Sequence, residues 1–230
     1  MESTNFSCSV KHICFAADYC KQTSGMCARG RFLAYALKQS YLPASRYDVP
    51  ELWCIDEDVA AFERLSKLES GMFYASSDNL YLCSEQTGNG KTSWAIRLML
   101  KYLEVCSSSI LEKHYDALTS VVVFVPVIQF IHDAKSPFGS SFYHKYEQLA
   151  SAADKAELVV WDDIGMTEYT AYDFMHLFRA VDRRLFAGKK NIFTSNHVDM
   201  ESLEEAVGLR LADRIWNSCE IIQLCEGSKR

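Results

Sequence analysis

The stretch of this 230-residue chain richest in chemical potential is SEQTGNGKTS, residues 84–93. Gly-Lys-Thr after a glycine-rich turn matches the end of the phosphate-loop pattern G-x-x-x-x-G-K-[ST]. Gly88 and Gly90 allow the backbone to aim N–H groups at phosphate oxygens, and a following helix adds the partial positive charge of its N-terminus. Gly88, Asn89, Gly90, Lys91, Thr92 and Ser93 form the expected phosphate-binding set. Lys91 is placed to reach the β- and γ-phosphates, and the Thr92 hydroxyl to ligate Mg²⁺. The opening glycine of the pattern is replaced by Glu85, a residue that resists positive φ and brings charge toward a polyanion. Without further context the segment reads equally as a turn with an incidental Gly-Lys-Thr.

A phosphate loop needs an acidic partner, and LVVWDDIG (158–165) supplies one. Asp162 is expected to hold Mg²⁺, and Asp163 to orient or deprotonate the attacking water. NIFTSNH (191–197) sets Thr194, Ser195 and Asn196 at the end of a further apolar run, and Asn196 is the expected contact to the γ-phosphate and water. GLRLADRI (208–215) carries Arg210 and Arg214 four residues apart, on one helix face. These arginines suit either a neighbouring subunit's γ-phosphate or a solvated basic face. Asp-Asp and Ser-Asn-His are also ordinary turn chemistry.

These residues need a scaffold that brings distant loops together. Five short runs rich in β-branched and aromatic residues occur at 80–83, 121–125, 158–161, 191–194 and 221–224. Helix-period segments lie among them at 93–105, 129–134, 142–156, 171–186 and 200–216. The alternation predicts βαβ units and a five-stranded parallel sheet covered on both faces, an α/β fold. In such sheets ligands sit at the carboxyl ends of the strands, where the polar residues above fall. Only 34 residues follow Asn196, taken up by the arginine helix and last strand, so a separate C-terminal lid is not expected.

Composition narrows the class. Apolar residues make up 49% and charged residues 23%, which excludes a largely disordered chain. No apolar run approaches the about 20 residues that span a bilayer, so no membrane association is expected. The net charge of −6 argues against coating nucleic acid by bulk charge. Nine cysteines with no signal-peptide core and no paired spacing point to a reducing cytoplasm.

The first 50 residues carry six Lys/Arg against three Asp/Glu, and the next 20 carry two against six. Residues 1–50 are therefore expected as a small Cys-rich helical partner-binding module, 51–78 as a helical connector and 79–230 as the ATPase core. Cys8, Cys14, Cys20 and Cys27, with His12 as an alternative ligand, form a loose zinc spacing. A metal would staple a module too small for much core of its own. Arg179, Arg183, Arg184, Lys189 and Lys190 are the densest basic cluster, suited to the backbone of single-stranded DNA or to a solvated helix face.

Taken together, EQTGNGKTSWA, LVVWDDIG, NIFTSNHVDMESL and GLRLADRI resemble, in order and interval, the DnaC/DnaI-type helicase loaders of the phage or mobile-element kind. The resemblance spans roughly residues 70–225, and the IstB-type transposition ATPases share it. It implies an AAA+ core. Lys91 and Thr92 then correspond to Walker A, Asp162 and Asp163 to Walker B, Asn196 to sensor 1, Arg214 to the arginine finger and Arg210 to an earlier arginine. It further implies ATP/ADP and Mg²⁺ as cofactors, slow ATP hydrolysis, self-assembly with ATP, and a replicative helicase and single-stranded DNA as partners. DnaI-type loaders also carry an N-terminal zinc domain. An IstB-like transposition helper and a nucleotide-gated adaptor with little turnover are the alternatives.

Overall fold

The computed structural model describes residues 8–14, 17–20, 25–48, 52, 54, 56–76, 78–108, 120–166 and 169–224. Five strands, β1 (Asn79–Cys83), β2 (Val122–Pro126), β3 (Leu158–Asp162), β4 (Lys190–Ser195) and β5 (Cys219–Gln223), pair in parallel. Their order is β2-β3-β4-β1-β5, so β1 sits between β4 and β5. Each strand lies where an apolar run predicts one, within two residues at its ends.

Strand side chains alternate between two hydrophobic clusters. Leu80, Leu82, Val122, Phe124, Leu158, Val160 and Ile192 face one, and Tyr81, Cys83, Val123, Val125, Val159, Trp161 and Phe193 face the other. Burial on both faces explains why these runs are continuously apolar rather than alternating. The first face is covered by α1 (Ala28–Gln39) and α4 (Lys91–Ser108). The second is covered by α5 (Val127–Ala134), α6 (Ser141–Lys155), α7 (Ala171–Phe186), α8 (Met200–Val207) and α9 (Leu209–Ser218). The acidic stretch forms α2 (Val59–Lys67), then a wide turn at Gly71 (φ 115°) and the short α3 (Phe73–Ala75).

Residues 200–216, expected as one helix, are two. Gly208 takes φ 78°, and a Cβ there would sit 3.3 Å from the Phe174 ring, so the chain breaks and α8 folds beside α9. The amino-terminal segment is joined to the sheet. Val10, Leu33, Leu37 and Leu42 share a cluster with Leu80, Leu82 and Trp94, and the Phe124 N–H donates to the Ser40 carbonyl at 2.7 Å.

The zinc expectation gains no support from this packing. Among the described residues no three His, Cys, Asp or Glu side chains are placed to hold a metal. The Cys27 sulfur accepts from the Gly30 N–H and caps α1, Cys8 and Cys14 pack against the core, Cys20 is exposed, and His12 stacks on Tyr47. The segment shares its core with the sheet. Cys83 and Cys106 are buried as expected of small apolar residues, Cys54 is exposed, and Cys225 lies outside the described residues.

The basic cluster is also divided. Arg184 is 1% exposed. Its guanidinium donates to Asn191 Oδ1 (2.8 Å) and to the carbonyls of Ala153, Ala156, Glu157 and Lys190. Burial lowers its pKa to about 10. Lys190 donates to the Phe73 and Ser76 carbonyls, and Lys189 to the Asp154 carbonyl. These three cations bind backbone, which leaves Arg179 and Arg183 on the surface. Arg184→Ala should orphan several buried carbonyls and lower unfolding free energy by about 3 kcal/mol or more. Urea denaturation reads this; a loss within 0.5 kcal/mol, the range of about that size typical of surface changes, would show that the network is dispensable.

Candidate functional site

The strand order decides what can meet. The loop after β1, the end of β3 and the end of β4 converge at the carboxyl edge of the sheet. Residues 84–90 form an irregular turn, and α4 begins at Lys91. Gly88 and Gly90 take φ 86° and 95°, the left-handed region that favours glycine. Glu85 is exposed and lies outside that region, which only Tyr41 and Asp163 adopt among the described non-glycine residues. The turn therefore has no need of glycine at position 85, and the carboxylate faces solvent.

Lys91 is buried, its ammonium donating to the carbonyls of Ser84 (3.3 Å) and Gln86 (2.8 Å) and to Asn89 Oδ1 (3.2 Å). Burial lowers its pKa, opposed by the nearby charges, Asp163 first. Asn89 is buried and also bonds the Ser84 hydroxyl, so its side chain braces the loop.

Asp162 is 5% exposed. Its Oδ1 accepts from the Thr92 hydroxyl and from the Thr194 hydroxyl, each at 2.8 Å. Burial raises its pKa and the charge of Asp163 adds to this; the bonds from Thr194 and Thr92 and the charge of Arg46 act in the other direction. Thr92 and Asp162 are thus brought together across β4. An all-oxygen pair of hydroxyl and carboxylate suits a hard cation such as Mg²⁺.

Asp163 takes φ 59°, a conformation that Asp tolerates better than longer acids through its short polar side chain. Its N–H donates to Thr194 Oγ1 at 2.9 Å. Gly165 follows at φ 85°, against which the His197 ring packs so closely that a Cβ would stand 2.7 Å from it. Asn196 is half-buried and bonds the Met166 sulfur. A cleft of about 340 Å³ is lined by the loop from Thr87 to Ser93 with Asp163, Met166 and Asn196, and by Ser45, Arg46, Asp48, Leu52 and Ile96. Leu52 lies on the loop, 3.3 Å from where a Gly90 Cβ would be.

Arg210 and Arg214 do not line this cleft. Arg214 pairs with Asp182 of α7 at 2.8 Å, and Arg210 is exposed on the same helix.

Two residues escape the sequence reading. Thr194 is buried and joins Asp162 to the backbone of Asp163; its place at a strand end is legible, its role as a bridge is not. Arg46 reaches Asp162 from the amino-terminal segment, with Nη1 3.7 Å from Oδ2.

No family model matches the chain, and no curated protein matches it in sequence. Solved structures do. The DnaC helicase loader aligns with TM-score 0.56 and 14% identity over 77% of this chain and 94% of its own. DnaI aligns with TM-score 0.58 and 16% identity over 83% and 95%. The replication initiator DnaA bound to AMPPCP and single-stranded DNA aligns with TM-score 0.55 and 12% identity over 82% and 52%. The fold is that shared by these DnaC, DnaI and DnaA structures. The likeness to DnaC and DnaI seen in four motifs therefore extends to the backbone, and among the described residues no lid domain lies beyond the sheet and its helices. Among the described residues no helix is long and apolar enough to cross a membrane.

Thr194→Val keeps the shape and removes both contacts. It should weaken Mg²⁺-dependent nucleotide affinity about 10-fold, as loss of a ligand-orienting partner does, with the circular dichroism spectrum unchanged. Unaltered affinity by calorimetry would mean that Thr194 does not position Asp162.

Proposed function

We propose that the chain is an ATP-dependent adaptor of DNA replication that brings a hexameric replicative helicase to single-stranded DNA. The observation that carries this reading is the Lys91–Thr92–Asp162 set at the strand ends, in a core whose α9 arginines face away from it. Similarity to the DnaC helicase loader supports the client, and similarity to DnaA with AMPPCP and single-stranded DNA supports the ligands.

Lys91 and the N–H groups of the loop and α4 bind the triphosphate. Thr92 and Asp162 would hold Mg²⁺, which would supply charge neutralisation to the triphosphate when bound. Asp163 and Asn196 orient the attacking water, and Asp163 accepts its proton. Arg214, with Arg210 beside it, completes the site of a neighbouring copy, so turnover is slow until copies assemble. To do so Arg214 leaves its ion pair with Asp182.

Single-stranded DNA is assigned to the outer face of α6 and α7. There Tyr143, Tyr146, His176 and Tyr172 form a chain of ring contacts with centroids 4.4–5.8 Å apart, next to the exposed Arg179 and Arg183. Aromatic platforms beside arginines are how single strands are held without sequence preference. The Cys-rich amino-terminal segment, with Tyr19 exposed, supplies the helicase contact.

Mixing tests action in trans. Arg214→Ala and Lys91→Ala chains should each be inactive, and their mixture should recover hydrolysis because one interface type keeps both residues. No recovery in assemblies verified as mixed would count against Arg214. Reversing charge at Arg179 and Arg183 should weaken single-stranded DNA binding and flatten its salt dependence, read by fluorescence anisotropy; an unchanged salt slope removes that face from the account. A chain that fails to co-elute with the replicative helicase in the presence of ATP contradicts the client.

A further inference from the structure

Arg46 ends the three-residue turn Ala44–Arg46, which leads away from α1 toward the cleft. Its backbone is fixed. The Arg46 N–H donates to the Pro43 carbonyl at 2.8 Å, and the segment just before it is tied to β2 through the Phe124 N–H and to Ser120 through the Gln39 carbonyl. The Tyr47 N–H closes the turn by donating to the Ala44 carbonyl, and its hydroxyl donates to the Leu37 carbonyl. The side chain is free by comparison: it is 48% exposed, passes over the Phe124 ring at 5.8 Å, and ends 3.7 Å from Asp162 Oδ2.

This leaves one division of labour at Asp162. Oδ1 is taken by the two threonine hydroxyls. Lys91 directs its protons to Ser84, Gln86 and Asn89 rather than to the carboxylate. Arg46 therefore supplies the positive charge beside Oδ2. A guanidinium cannot stay there when a divalent cation arrives at Thr92 and Asp162, because like charges at that separation repel.

The charges of the cleft indicate where it goes. Lys91 and Arg46 are the cations that line it, against the acids Asp48 and Asp163, with Asp162 buried behind them. A triphosphate entering this surface meets as many acids as bases, and half of the fixed positive charge belongs to Arg46. A planar guanidinium fork matches phosphate oxygens, and here it stands on an anchored turn at the rim of the same cleft.

We infer that Arg46 is a nucleotide-binding residue acting in cis, which leaves Asp162 when Mg-ATP enters and binds the triphosphate. The inference rests on the nucleotide site proposed above. It makes residues 40–48 part of that site and ties the amino-terminal segment to the state of the nucleotide.

Calorimetry of the full chain with Mg-ATP and Mg-ADP tests it on Arg46→Met, Arg46→Ala and Arg46→Lys. Methionine keeps the aliphatic contact with Phe124 and removes the charge. Methionine and alanine should each lower ATP affinity about 10-fold or more, and lysine should recover part of the loss. Thermal melts of the ligand-free variants establish that they fold. If the methionine and alanine variants bind Mg-ATP as tightly as the unaltered chain, or more tightly, Arg46 is only a counter-ion that yields to the metal and the inference is overturned. Unaltered chain that binds ATP and loses it with Lys91→Ala, but not with the Arg46 variants, refutes this inference alone. Unaltered chain that does not bind ATP refutes both.

Discussion

The site depends on a single buried carboxylate oxygen. Asp162 Oδ1 accepts from Thr92, on the helix that follows β1, and from Thr194, on β4. Three elements distant in sequence thus meet at one atom. The order β3-β4-β1 makes this possible, since β4 lies between the strand that carries the acid and the strand that launches the loop. A buried carboxylate is costly unless its lone pairs are met. The same requirement that keeps Asp162 bonded also holds the hydroxyl and the acid at the separation that a hard cation needs.

The opposite edge of the sheet has a comparable device. Arg184 gathers carbonyls from the end of α6 and from the entries of β3 and β4, with Asn191 as a side-chain partner. The two charged residues hold β3 and β4 in fixed relation at both ends, while the apolar strand interiors pack on two faces. The rigid frame lies at the strands, and the positive-φ residues Gly88, Gly90, Asp163 and Gly165 lie in the loops that line the cleft.

Much of this was legible in sequence because parallel strands buried on both faces must be apolar throughout, so each appeared as an unbroken run. The phosphate loop and the acidic pair were legible because their chemistry dictates residue type and spacing together. Other features depend on contacts that sequence distance hides. Residues 200–216 read as one helix, and the positive φ of Gly208 beside the Phe174 ring, which breaks it, is visible only in the fold. Arg184, Lys189 and Lys190 looked like part of a surface cluster because neighbours in sequence share a charge, yet a turn at a helix end points them at buried carbonyls. The cysteines suggested a metal because a short segment lacks a core of its own; that the segment shares the core of the sheet is visible only in the fold. Arg46 sits in what reads as a partner-binding module, and only the fold brings it to Asp162.

The central claim is that these residues form a Mg-nucleotide site despite Glu85. The most direct measurement is a calorimetric titration of the unaltered chain with ATP, in Mg²⁺ and again in excess chelator. The account predicts one site per chain whose affinity falls sharply when Mg²⁺ is removed. No binding at millimolar ATP with Mg²⁺, or binding indifferent to Mg²⁺, would contradict it.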